Sequence, residues 1–176
     1  MTAPFGRCFI SYKRERADDM ARLVKGLQEH GVPVWRDIDD LGAEPTEDDI
    51  RQVLRRPDTA CAVLYLTPEI ANSGVSRNIE APQLLRRYHK GDGFFCQAVA
   101  AGGLTWKTAA ALLDGYLGAD DLRSWNMLEV GSDPLSDEDA ALIARRVMKH
   151  RVARVHAALP PDQPMRLQLI SYPQVP

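Results

Sequence analysis

Short apolar runs alternate with amphipathic stretches along most of the chain. Cys8-Phe9-Ile10-Ser11-Tyr12 is a compact β-type run. From residue 16 to residue 30 the apolar positions Met20, Leu23, Val24 and Leu27 recur at helical spacing, and Gly31 supplies a C-terminal stop. Residues 32–35, Val-Pro-Val-Trp, form the next strand candidate. Thr46, with Asp49 three positions on, predicts a capped helix carrying Ile50, Val53 and Leu54, and Pro57 ends it. Residues 59–66 are apolar at nearly every position, the pattern of a central parallel strand covered on both faces.

The second half continues the alternation. Residues 77–90 contain a helical segment with Leu84, Leu85 and Tyr88, and residues 94–100 read as a strand. Thr105 caps a helix whose Trp106, Ala109, Leu113 and Tyr116 share one face. Residues 125–130 are a fifth strand, and Ser136 with Glu138-Asp139 opens a last helix reaching about Val155. Strand followed by helix, repeated, implies an α/β fold: a flavodoxin-like three-layer sandwich with a five-stranded parallel sheet in the order 2-1-3-4-5. Residues 1–158 form this domain. Residues 159–176 begin with a proline-rich linker, Leu-Pro-Pro-Asp-Gln-Pro, followed by a β-type run at 165–172. That run is either an edge strand or, the preferred reading, the start of a second domain.

Composition narrows the function. The 176 residues carry 22 Lys and Arg against 24 Asp and Glu, a net charge of −2, which argues against a dedicated nucleic-acid binder and its basic face. Cys8, Cys61 and Cys96 each sit in an apolar run without CxxC spacing, so they read as small buried core residues. No apolar stretch is long enough to span a bilayer and no signal-peptide pattern opens the chain, so a cytoplasmic location without membrane contact is expected. The four histidines show no metal-ligand spacing, and no metal is expected; they read as surface residues.

In an open parallel sheet, ligands bind beyond the carboxyl ends of the strands where strand order reverses, here between strands 1 and 3. That geometry nominates Lys13, Arg14, Ser73, Ser76 and Glu80, with Asp37, Asp39 and Asp40 at the rim.

The run Phe9-Ile10-Ser11-Tyr12-Lys13-Arg14, then an amphipathic helix, then Gly31-Val32-Pro33-Val34-Trp35-Arg36-Asp37 and Leu41, resembles a Toll/interleukin-1 receptor (TIR) domain. The resemblance covers about residues 7–150 and is nearer to the NAD-cleaving kind than to the receptor-adaptor kind. It implies an NAD⁺ glycohydrolase with Glu80 as the catalytic residue, NAD⁺ as substrate and no cofactor. Ser11, Tyr12, Lys13, Arg14, Trp35, Asp37 and Ser76 are the implied substrate-binding residues: Lys13 and Arg14 for the pyrophosphate, Trp35 or Tyr12 for stacking on a ring. The loop after strand 2, with Ile38, Asp39, Asp40, Leu41 and Gly42, is the implied self-association element, giving oligomers or filaments. With a second domain beyond residue 158, the architecture is similar to bacterial antiviral effectors fused to a sensor of cyclic oligonucleotides.

A lone carboxylate suits this chemistry. Ordinary glycosidases need two, because the leaving oxygen must be protonated. In NAD⁺ the nicotinamide leaves as a neutral base, so the remaining task is to hold the ribose and stabilise an oxocarbenium-like transition state. Duller readings stand beside each assignment. Lys13-Arg14-Glu15-Arg16 is also a solvated charge run, Trp35 a core residue, and Glu80 a dipole-favoured residue at a helix start. Pro82 requires the helix to begin near Glu80 or to kink there. The rival function is a non-catalytic TIR interaction module, favoured by Ser76 where the family often has Trp. A phosphoryl-transfer receiver is disfavoured, since Ser11-Tyr12-Lys13 stands where its acids would follow strand 1.

Overall fold

In the computed structural model, residues 6–35, 47–72, 80–113, 125 and 127–158 are described. Among them, five strands form one parallel sheet: β1 (Arg7–Ser11), β2 (Val34–Trp35), β3 (Thr59–Leu66), β4 (Phe95–Ala100) and β5 (Leu128–Glu129). Their order is β2-β1-β3-β4-β5, as the alternation of elements predicts. All eight residues of β3 are buried, as expected of the strand at the middle of that order. Side-chain alternation sorts them to two sides. Ala62, Leu64 and Leu66 join one core, while Cys61, Val63 and Tyr65 join the other.

Among the described residues five α-helices cover the two faces of the sheet: α1 (Ala17–Glu29), α2 (Glu47–Arg55), α3 (Ala81–His89), α4 (Trp106–Leu112) and α5 (Asp137–Ala158). Ile50, Val53 and Leu54 of α2, Leu84 of α3 and Ala109 of α4 pack with Phe9 and Trp35 on one face. Met20, Leu23, Val24 and Leu27 of α1 pack with Ile143, Ala144 and Val147 of α5 on the other. The α1–α5 contact is close enough to need a glycine: a Cβ on Gly26 would lie 3.2 Å from the Ala140 carbonyl.

Several element ends differ from the sequence expectation. β2 is the pair Val34–Trp35 rather than the four residues 32–35. β5 is Leu128–Glu129, and Trp125, expected at its start, is a core residue with its ring 5.7 Å from that of Tyr88. Both are edge strands, where the absence of a second neighbour shortens the ladder. Pro82 sits in the first turn of α3, Ala81–His89, within the span 77–90 expected to hold a helix; residues 77–79 lie outside the described residues. The Thr105 cap is present, its hydroxyl accepting from the Thr108 amide at 3.3 Å. The boundary expected at 158/159 and the β-type run at 165–172 lie at the limit of the described residues or outside them.

The three thiols are buried. The histidines depart in part from the surface reading. His89 and His156 are exposed, but His30 is half-buried with Nδ1 2.8 Å from the Gly26 carbonyl oxygen, and His150 is half-buried with its ring 5.4 Å from that of Phe95. Among the described residues no helix is long and apolar enough to cross a membrane, and no cluster of three or more His, Cys, Asp and Glu could hold a metal ion.

Candidate active site

The order of strands places the reversal between β1 and β3, and two side chains from far apart in sequence meet there. Alternation along β1 turns Phe9 toward the α2–α3–α4 face and Ile10 toward the opposite face, so Ser11 turns back to the first. There its hydroxyl donates to Glu80 Oε2 at 2.6 Å. Glu80 immediately precedes α3, with helical backbone angles of φ −66 and ψ −54. Ser11 is fully buried and Glu80 is 5 % exposed.

This arrangement stabilises negative charge on the acid. A donated hydroxyl hydrogen bond favours a carboxylate over its neutral form. An acid this buried is costly unless so supported, and its cost is commonly offset by function.

The other predicted residues are placed less uniformly. Tyr12 follows Ser11 on the chain but is half-buried against the α1–α5 core, on the opposite side of the sheet. Lys13 continues from the same strand end, its side chain 22 % exposed and its ammonium 3.7 Å from Glu15 Oε1. The backbone of Arg14 lies in a single 3-10 turn, Arg14–Arg16, and its side chain lies outside the description. Trp35 is 7 % exposed and belongs to the core with Phe9 and Ile50. The guanidinium carbons of Arg7 and Arg56 lie 4.3 and 4.7 Å from its ring centroid. Arg7 begins β1 and Arg56 precedes β3, so the ring leans toward the amino edge of the sheet, away from Ser11 and Glu80. Asp37, Ser76, Ser73 and the loop residues Ile38, Asp39, Asp40, Leu41 and Gly42 lie outside the described residues.

One residue of this edge was hidden in the sequence. Arg16, read there as part of a solvated charge run, is only 17 % exposed. It holds Asp133 at 2.5 Å, Glu69 at 2.9 Å and Asp19 at 3.6 Å, tying together the segments that follow β1, β3 and β5. Hydrogen bonding to Asp133, opposed by burial and reinforced by Glu69, raises its pKa further above the usual range. Asp19 is buried in turn and accepts from the Tyr65 hydroxyl at 3.2 Å and the Leu135 amide at 2.9 Å. The i,i+3 spacing of Arg16 and Asp19 was the only local signal. A groove of about 550 Å³ between α2 and α3, lined by Asp48, Arg51, Gln52, Arg55, Gln83 and Arg86, is a separate feature that neither Ser11 nor Glu80 lines.

Comparison with known proteins decides the family. The sequence profile described as TIR domain matches residues 8–96, from β1 to β4 and across both Ser11 and Glu80. The chain belongs to the TIR domain family. In fold it is similar to the TIR domains of the activated Roq1 resistosome that directly recognises the pathogen effector XopQ, with 15% identity, 84% of each chain covered and a TM-score of 0.44. No curated protein matches the chain.

Proposed function

We propose that this TIR domain is an NAD⁺ glycohydrolase, with Glu80 as the catalytic carboxylate and Ser11 as its positioning residue. The observation that carries this reading is the 2.6 Å bond between them at the switch point of the sheet. The reaction is NAD⁺ + H₂O → nicotinamide + ADP-ribose + H⁺. The bond from the ribose anomeric carbon to the nicotinamide nitrogen breaks, and nicotinamide keeps the electron pair. Glu80 accepts hydrogen bonds from ribose hydroxyls and faces the positive charge that develops on the ring, an interaction stronger in the transition state than in the ground state. Attack by an adenine nitrogen in place of water gives a cyclic product. Lys13 and Arg14, continuing from the β1 end, supply the positive charge for the pyrophosphate. The core position of Trp35 and the opposite-face position of Tyr12 leave neither as a ring platform in this scheme.

The family reading adds self-association through the segment at residues 37–45, a cytoplasmic antiviral role and a cyclic-oligonucleotide sensor fused beyond residue 158. Each is part of the proposal. The deciding experiment incubates the chain with NAD⁺ over a wide range of protein concentration and measures nicotinamide. Release whose specific activity rises with concentration is the expected result. No release at any concentration leaves the interaction-module reading, in which the buried Glu80 is only a helix-start residue. If Lys13 and Arg14 meet the pyrophosphate, their Ala variants raise KM, and added salt weakens cleavage by the unmutated protein.

A further inference from the structure

The groove between α2 and α3 collects charge of one sign. Arg51 and Arg55 are four residues apart on α2, and Asp48 and Gln52 share their face. Gln83 and Arg86, three apart on α3, meet them across the groove. The opposite side of α2, with Ile50, Val53 and Leu54, is the side buried in the core. The spacing thus sends three guanidiniums from two helices into one cavity of about 550 Å³. Among the described residues that line it, Asp48 is the one acid, and it holds Arg51 Nη1 at 3.2 Å. Arg55 and Arg86 have no ion pair or hydrogen bond among the described residues.

A second observation is independent of the charges. Gln83 lines the groove and is 8 % exposed, yet its amide makes no hydrogen bond among the described residues. A buried amide is costly without a partner, and a ligand in the groove supplies one. The helix dipole accounts for a cation at Arg55 and at Arg86, each in the last turn of its helix. It accounts neither for Arg51, one turn before Arg55, nor for Gln83. Like charges at such spacing repel one another, and an anion between them reverses the sign of that interaction.

We propose that the α2–α3 groove is a binding site for a diphosphate group, held by Arg51, Arg55 and Arg86 with the buried Gln83 amide as a further donor. All three cations are arginines, whose planar forks match phosphate oxygens two at a time, whereas a lysine acts as a point charge. Arg51 and Arg55 stand ~6 Å apart along α2, and so face a ligand longer than one phosphoryl group. The cavity volume lies within the ~300–1,000 Å³ range of small-molecule sites. Among the described residues no aromatic side chain lines it, so the ligand is read by its charge and not by a stacked ring. Free pyrophosphate and the diphosphate of a nucleotide share this chemistry. The site is separate from the Ser11–Glu80 crevice and does not depend on NAD⁺ cleavage.

The test is isothermal titration calorimetry of the native 176-residue chain at low ionic strength, with inorganic pyrophosphate, phosphate, acetate and ADP as probes. Pyrophosphate is expected to bind at one site about tenfold more tightly than phosphate, and acetate to give no saturable heat. Added salt weakens the binding. The double variant Arg55→Gln/Arg86→Gln, changed only at exposed side chains, keeps its melting temperature and loses about tenfold or more in pyrophosphate affinity. The double variant Lys13→Ala/Arg14→Ala removes the cations at the end of β1 and leaves the groove's affinity in place. In that variant ADP binds no more tightly than pyrophosphate, since no ring is stacked. Absence of saturable pyrophosphate binding, binding that survives the loss of Arg55 and Arg86, binding lost with Lys13 and Arg14, or ADP bound about tenfold tighter than pyrophosphate each overturns the proposal.

Discussion

The two edges of the one sheet handle buried charge in opposite ways. At the amino edge, Arg87 is 7 % exposed and its guanidinium closes loops: it donates to the carbonyls of Leu54, Arg56 and Thr59 and pairs with Asp92 at 2.9 Å. Those carbonyls end α2 and start β3, so the charge replaces helix-end partners that the turn would otherwise lack. At the carboxyl edge the buried charge is an acid, Glu80, to which the Ser11 hydroxyl donates. Arg16, on that same edge, is directed instead to Asp133, Glu69 and Asp19. Arg87 and Arg16 thus lock loops in place, and the Ser11 hydroxyl helps to orient Glu80. Under the proposed function, the amino edge serves stability and the carboxyl edge reactivity.

Substitutions at the two edges should therefore separate activity from stability. The largest effect is expected from Glu80→Gln, which should lower nicotinamide release by about 10²–10⁴-fold. Its melting temperature should be unchanged or higher, measured by circular dichroism on the same sample. Arg87→Met should do the reverse. Removing one partner of a buried charged network costs about 3–5 kcal/mol in denaturant unfolding, while the molecules that remain folded keep their turnover. Equal effects of both variants on both quantities would erase the distinction between the edges.

A smaller, pH-dependent effect belongs to His150 on α5. Burial, then the charges of Arg146, Arg154 and Lys149, lowers its pKa below the ordinary value. The unfolded chain then binds the proton more readily than the folded one, so this contribution to stability is present above about pH 6.5 and is lost as pH falls through that value. His150→Gln should flatten that limb of the stability–pH curve without touching nicotinamide release.

The sequence made the sheet legible because its signals are local. The unbroken apolar run at 59–66 marks the central strand, Thr105 marks a cap, and Pro82 marks the first turn of α3. Ser11 and Glu80 are 69 residues apart, and only the rule for parallel sheets, joined to the family resemblance, brought them to one crevice. The edge strands were overextended, since hydrophobicity does not reveal the loss of one neighbour. The buried arginines were not legible at all. Arg16 read as part of a solvated charge run and no pattern singled out Arg87 or Arg151, because the partners that bury them include Asp133, Thr59 and Gly6, far away along the chain.

The central claim, that Ser11 acts on turnover through Glu80, is tested most directly by a double-mutant cycle in nicotinamide release from NAD⁺. The account predicts that Ser11→Ala lowers kcat about tenfold, that Glu80→Gln lowers it far more, and that the double variant is no worse than Glu80→Gln alone, because groups acting as a unit do not add. Full turnover by a folded Glu80→Gln protein, or losses that add in the double variant, would contradict it.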